Sequence, residues 1–162
     1  MYENGWDDFD CYVSMPGDEP ELSGASIDTC IARLMDFGNC EISTLGTTFL
    51  EGEDSRQSRV KVQVTEQAPL YAKGFYRTRP PYQHYYRHIG IYAYRPEVLE
   101  QWRTFPTARA DKLRIEQVRA LDAGKKIGVR LVAEAPHGID TAEDYRSWFL
   151  RVVSKTPMSK EI

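Results

Sequence analysis

Residues 87–95, Arg-His-Ile-Gly-Ile-Tyr-Ala-Tyr-Arg, alternate without a break and are closed by Pro96. A period of two over that length predicts a strand, and the proline stops it, because a residue without an N–H cannot extend a ladder. Ile89, Ile91 and Ala93 then share one face, while His88, Gly90, Tyr92 and Tyr94 share the other. Any fold must bury the first face and find a use for the second. Two uses are open. His88 and Tyr92 can satisfy each other or water in a half-buried sheet, or they can meet a ligand over Gly90, since a glycine within a strand often marks the close approach of a ligand or another backbone.

With 162 residues, 41% of them apolar, the chain fits one domain with a substantial core, for a chain of this size buries roughly 70% of its unfolded surface. The expected domain runs over 1–155, with 156–162 as a tail. Twenty-one basic against 24 acidic residues leave a net charge of −3, so no global field draws in nucleic acid or an anionic membrane, and an anionic ligand needs local donors. Cys11, Cys30 and Cys40 are odd in number and lack a CxxC spacing, which speaks against a disulfide framework or a zinc site and fits a reduced, cytoplasmic setting. No apolar run approaches a membrane span, and the acidic opening is the reverse of a signal peptide. The expectation is a soluble, unprocessed protein.

Along the chain, residues 10–15 read as a strand running into the turn Pro16-Gly17-Asp18-Glu19-Pro20. Ser23 or Ser26 can cap a helix near 24–37 whose core stripe is Ile27, Cys30, Ile31 and Leu34, and Gly38-Asn39 stops it. Residues 42–49 and 59–64 read as strands, the latter with three valines inward and charge outward, and Pro69-Leu70-Tyr71 opens another extended piece. A short helix is expected at 96–102, a longer one over 108–121 closed by Gly124, and a strand at 127–132. A last helix begins at Thr141, capped with Asp144, and its stripe of Tyr145, Trp148, Phe149 and Val152 predicts firm docking.

Four features carry chemistry. Asp18 and Glu19 leave a strand by the kind of loop in which open α/β sheets assemble ligand sites, although Gly-Asp-Glu-Pro is also ordinary turn chemistry. Asp140 stands in a second strand-to-helix loop. Together with Asp18 it would suit magnesium, which takes one or two protein oxygens and fills the rest with water and phosphate; alone, it would favour the helix N-terminus. Gln117 falls in line with Leu113 and Leu121, with Glu116 beside it, and a buried amide there can serve the backbone or a bound carboxylate. Finally, residues 75–87 interleave aromatic and basic side chains around Pro80-Pro81. That run could stack nucleic-acid bases, line a sugar-acid pocket or face a partner, and the acidic balance speaks against nucleic acid.

Taken together, Gly17-Asp18-Glu19-Pro20, the 87–95 strand, Ile115-Glu116-Gln117-Val118-Arg119-Ala120-Leu121 and Gly138-Ile139-Asp140-Thr141-Ala142-Glu143-Asp144 resemble the sugar-activating cytidylyltransferases. The likeness is greatest to the 3-deoxy-manno-octulosonate (Kdo) branch, the CMP-Kdo synthetases, and it runs from near residue 8 to near residue 150. It implies a three-layer, Rossmann-like α/β sheet of the nucleotide-diphospho-sugar transferase kind, truncated at its N-terminus and carrying an antiparallel extension. It also implies transfer of CMP from CTP to Kdo, a step in lipopolysaccharide precursor activation, by a homodimer. Asp18 and Asp140 would hold Mg2+ and act in catalysis, while Arg77, His88, Tyr92, Glu116 and Gln117 would bind the sugar acid.

The departures set further expectations. The family opens with a strand and a basic, glycine-containing loop that cradles the triphosphate, and nothing of that kind precedes Asp18; the family's glutamine is Pro16 here, and an insertion near Lys73-Gly74 shifts the loop bearing Arg77. The isolated chain is therefore expected to lack cytidylyl transfer, with a non-catalytic sugar-acid-binding role or a partner-dependent subunit as alternatives. The 10–15 strand is left with an unpaired edge. That edge, with Tyr76, Tyr82, Tyr85 and Tyr86, points to self-association.

Overall fold

In the computed structural model, which describes residues 9–36, 39–81, 83–134 and 138–155, the alternating run is the backbone of the sheet. In chain order the elements are β1 (Tyr12–Ser14), α1 (Gly24–Met35), β2 (Ile42–Thr47), β3 (Lys61–Val64), β4 (Ala72–Tyr76) and β5 (Tyr85–Tyr94). Then follow α2 (Pro96–Gln101), α3 (Ala108–Leu113), α4 (Val118–Asp122), β6 (Ile127–Leu131) and α5 (Ala142–Lys155). β5 pairs antiparallel with β2 along one side, and on the other with β3 over 85–87 and β1 over 92–94. The sheet order is β4-β3-β5-β2-β6 with β1 beside β5, and β2–β6 is its one parallel pair among the described residues. The middle strands thus extend the same sheet.

Alternation along β5 divides the core in two. Ile89, Ile91 and Ala93 pack with Cys30, Leu34 and Leu45 beneath α1, whereas Tyr92 and Tyr94 join Val62, Phe75, Val98, Ile115 and Val118 beneath the 96–122 segment. Each fully buried Leu or Ile in these layers is worth about 1.5–3 kcal/mol relative to exposure. The result is three layers. α1 takes its cap from Ser23, whose hydroxyl accepts the Ser26 N–H at 3.2 Å, and it buries Cys30 and Leu34 as the stripe predicts. Its last described residues precede Phe37 and Gly38, so the expected stop at Gly38 lies outside the described residues.

Several expectations are corrected. The single helix over 108–121 is two: α3 ends at Leu113, Arg114 turns left-handed with φ 53°, and Ile115 sends its N–H back to Ala110 at 3.1 Å. The turn drops Ile115 into the core at 3% exposure and leaves Leu113 at the surface, so the Leu113–Gln117–Leu121 stripe does not form. Lys61 does not face outward. It is fully buried, and its ammonium donates to the carbonyls of Arg56, Arg59 and Arg77 at 2.6–2.9 Å, because the 50–59 loop folds back over that side of the β3–β4 hairpin.

The last helix does not dock through its apolar stripe either. α5 is capped as expected, with Thr141 and Asp144 exchanging hydrogen bonds at 2.9 and 3.1 Å, and Arg151 reaches Glu21 at 2.8 Å. Tyr145 and Phe149 nonetheless remain about half exposed, at 51% and 49%, because no described element lies over them. The basic-aromatic run is dismantled as a surface as well. Phe75 is core, Arg79 pairs with Asp54 at 3.2 Å, Arg87 is buried against Glu53 at 2.9 Å, and Tyr85 donates to Asp54, while Tyr82 lies outside the described residues. No described helix is long and apolar enough to cross a membrane.

Candidate functional site

The strand half of the site comes from β5 and β2. His88 and Tyr92 stand four residues apart on one face, and the Tyr92 hydroxyl lies 2.7 Å from His88 Nε2. Thr44 of β2 closes the group: its Oγ1 is 3.0 Å from the same nitrogen and donates to the Ile91 carbonyl at 2.7 Å. That carbonyl is turned toward Thr44 by a bulge between the Thr44–Tyr92 and Leu45–Ile89 pairs. Phase and bulge are both local properties of the strands. The ring lies edge-on to Phe75 at 5.3 Å, and burial holds the His88 pKa down to about 3, so the imidazole is neutral at any physiological pH. Burial raises Tyr92 well above an ordinary phenol, and it stays protonated.

The loop half lies at the far end of β1. The Ile139 N–H donates to the Asp18 carbonyl at 2.7 Å, which sets the two predicted carboxylate loops side by side. Asp18 itself is exposed. Between the loops sits Arg59, whose Nη1 donates to Asp140 Oδ2 at 3.1 Å and whose Nε is 3.6 Å from Glu53 Oε1. Glu53 is shared with Arg87. Burial alone would raise the Glu53 carboxyl, but the Leu50 N–H and the Arg87 guanidinium hold it below its ordinary value. Glu19 completes the group: it accepts the Gly90 N–H, burial raises its pKa, and its Oε2 is enclosed without a hydrogen-bond partner. The close approach anticipated at Gly90 is therefore made by the protein itself, since a Cβ there would lie 3.1 Å from Pro16 and 3.7 Å from Glu19.

The remaining predicted residues form the outer wall on the His88 side of the sheet. Arg77 donates to the Arg114 carbonyl at 2.8 Å and to Gln57 at 3.4 Å, and its Nε is buried without a partner. Glu116 accepts from the Trp102 indole at 3.3 Å, and Gln117 is half-buried at the start of α4. Ile115 and Val118, on either side of these two, pack in the same cluster as Tyr92. His88, Tyr92, Glu116 and Gln117 therefore share one side. Asp140 does not join them directly; Arg59 and its neighbour Val60, whose carbonyl takes the His88 N–H at 2.9 Å, stand between. Arg59, Glu53 and Thr44 escape sequence reading. Glu53 and Thr44 sit in unremarked polar positions, and Arg59 reads as the outward charge of an alternating strand.

Magnesium suits this donor set. Asp18 and Asp140 offer only oxygen, their loops are joined by the Ile139–Asp18 bond, and Asp140 already accepts a positive charge from Arg59. No three His, Cys, Asp or Glu side chains converge among the described residues, so an all-protein cage is not on offer.

A mixed sheet with loops of this kind at its strand ends defines a class. Residues 2–127 match the cytidylyltransferase family model, a range that includes Asp18, Arg77, His88, Tyr92, Glu116 and Gln117 and stops before Asp140. The chain belongs to the cytidylyltransferase family. Among curated relatives, the 3-deoxy-manno-octulosonate cytidylyltransferase of Stenotrophomonas maltophilia is 35% identical over 86% of this chain, and that of Rhodopirellula baltica 30% identical over 92%. The solved structure of a CMP:2-keto-3-deoxy-manno-octonic acid synthetase complexed with CTP superposes with a TM-score of 0.82 at 28% identity, covering 92% of this chain and 64% of that one. The fold is that of the nucleotide-diphospho-sugar transferases. The chain spans 60% and 65% of the length of the two curated relatives.

Proposed function

We propose that this chain is the sugar-acid side of a CTP:Kdo-type cytidylyltransferase, binding a Kdo-like 2-keto sugar acid, and that as an isolated polypeptide it does not transfer CMP. The observation that supports the reading is the 2.7 Å main-chain bond from Ile139 to Asp18, which joins the loops that carry Asp18 and Asp140. Arg77, anchored by the Arg114 and Gln57 carbonyls, would offer its guanidinium charge to the sugar-acid carboxylate. The neutral His88 places no charge beside a sugar hydroxyl, and the buried Tyr92, bonded to its Nε2 at 2.7 Å, would orient the ring. Asp18 and Asp140 would hold magnesium, which when bound neutralises charge on the nucleotide phosphates. Residues 1–17 contain no lysine or arginine. Phosphoryl transfer depends on positioning and charge stabilisation, and two carboxylates do not supply both.

Thermal shift and calorimetry with Kdo, CTP and Mg2+, singly and combined, test this. Kdo should stabilise the chain by itself, while pyrophosphate release with all three present should stay at the no-enzyme level. Turnover above background that Asp140→Asn abolishes would overturn the inactive reading, and no response to any sugar acid would overturn the binding one.

A second reading is favoured by the surface: the chain works as a subunit completed by another polypeptide, in the simplest case a second copy. Among the described residues β1 has a strand neighbour on one side only, Phe9 and Met15 beside it are 56% and 47% exposed, and Tyr145 and Phe149 of α5 are about half exposed. The described tyrosines of the anticipated aromatic face, Tyr76, Tyr85 and Tyr86, are half-buried and add little to it. Light scattering across concentration decides; a monomer throughout would remove self-association.

A further inference from the structure

We propose that Arg59 is a built-in counter-cation of Asp140 that competes with a divalent metal for its carboxylate and, when displaced, transfers to the neighbouring carboxylates Glu53 and Glu19. This rests on the reading that Asp18 and Asp140 hold the metal.

Three observations carry it. First, Arg59 is packed into place: its side chain is 10% exposed, Nη1 bonds Asp140 Oδ2 at 3.1 Å, and the guanidinium lies so close over Gly138 that a Cβ there would come within 3.2 Å of Nη1. A cation seated on Asp140 Oδ2 would face a fixed positive charge at bonding distance, which opposes binding. Second, Arg59 has somewhere else to go. Its Nε lacks a hydrogen bond although Glu53 Oε1 is 3.6 Å away, and Glu19, whose Oε2 is enclosed without a partner, also lies against the open face of Gly138. Third, the displaced guanidinium has carboxylates to receive it. Asp140 would trade one cation for another, and Arg59 would move to carboxylates of which Glu53 already shares Arg87 and Glu19 has only a backbone N–H. The metal site is then occupied by protein at rest and opened by ligand.

Manganese binding, followed by the loss of its free-ion electron paramagnetic resonance signal, tests this on the full chain. Arg59→Ala should bind Mn2+ about tenfold more tightly than wild type, equivalent to about 1.4 kcal/mol. Arg59→Lys, which keeps a cation, should stay near wild type, and adding Asp140→Asn to Arg59→Ala should abolish the gain. Circular dichroism confirms that each variant is folded. Equal or weaker binding by folded Arg59→Ala would overturn the proposal while leaving sugar-acid binding, read separately by thermal shift, untouched. Absence of Mn2+ binding in both proteins, with or without CTP, would overturn the proposal together with the metal assignment.

Discussion

The imidazole–phenol half of the site and the carboxylate half stand on neighbouring backbone, yet opposite physics holds them. His88, Tyr92 and Thr44 are neutral, packed against Phe75, and tied to one another and to a strand carbonyl. Arg59, Arg87, Glu53 and Asp140 are charged, drawn from loops and strand ends, and paired in a chain where each cation meets an anion that a neighbour also wants. The neutral half is set by one strand and its bulge and should change little when ligand arrives. The charged half is a set of exchangeable partners. Geometry makes the first rigid, and charge balance makes the second adjustable.

The largest test of that contrast is Glu53→Ala. It leaves the buried Arg87 facing Arg59 with no shared anion, and removing one partner of a buried pair costs about 3–5 kcal/mol in urea unfolding. A loss below about 1 kcal/mol would mean that water already screens the cluster. Acid should come next and should act on the neutral half. The unfolded imidazole titrates near 6.5 and the folded one near 3, so between these values the unfolded chain binds the extra proton. Stability is therefore complete above the unfolded value and falls as pH drops through the window, by up to about 1.4 kcal/mol per pH unit. His88→Asn should flatten the profile between about pH 6.5 and about pH 5, and an unchanged slope would place the titration elsewhere.

Tyr92→Phe isolates one bond of the neutral half. Leaving the His88 nitrogen short of its phenol should cost about 1–2 kcal/mol and weaken sugar-acid affinity in calorimetry, whereas unaltered affinity would remove Tyr92 from the binding face. Asp140→Asn should cost under about 1 kcal/mol, since that carboxylate is 30% exposed and Arg59 keeps Glu53 nearby. Smallest of all is Phe149→Ser on the half-exposed α5 stripe, expected within about 0.5 kcal/mol in a dilute monomer. A larger loss that grows with protein concentration would show that a second copy covers it.

The two amphipathic helices show how far pattern reaches. α1 and α5 carry equally clear stripes, and both caps, Ser23 and Thr141, are where the residues place them. The stripe of α1 lies on the sheet, while Tyr145 and Phe149 of the α5 stripe stay about half exposed, because periodicity says which face is apolar and not what will cover it. In the site, His88 and Tyr92 were legible as a pair because four residues along a strand return to the same face. The union of the Asp18 and Asp140 loops was legible only as an expectation drawn from their positions at strand ends. Gln117 was misread as one rung of a continuous helix because nothing local marks Arg114, a non-glycine residue, as left-handed.

What the chain's residues determine alone is therefore local: the phase of β5, the caps of α1 and α5, the stop at Pro96 and the acid-bearing turns, each decided by sterics and hydrogen bonding within a few residues. Long-range choices belong to the tertiary structure. Lys61 was turned inward by three carbonyls of loops that close over it, and Arg59 was given to Asp140, 81 residues away, when that loop met Asp18. A charged side chain's fate depends on which partners desolvation leaves within reach, and only the folded chain brings those partners together.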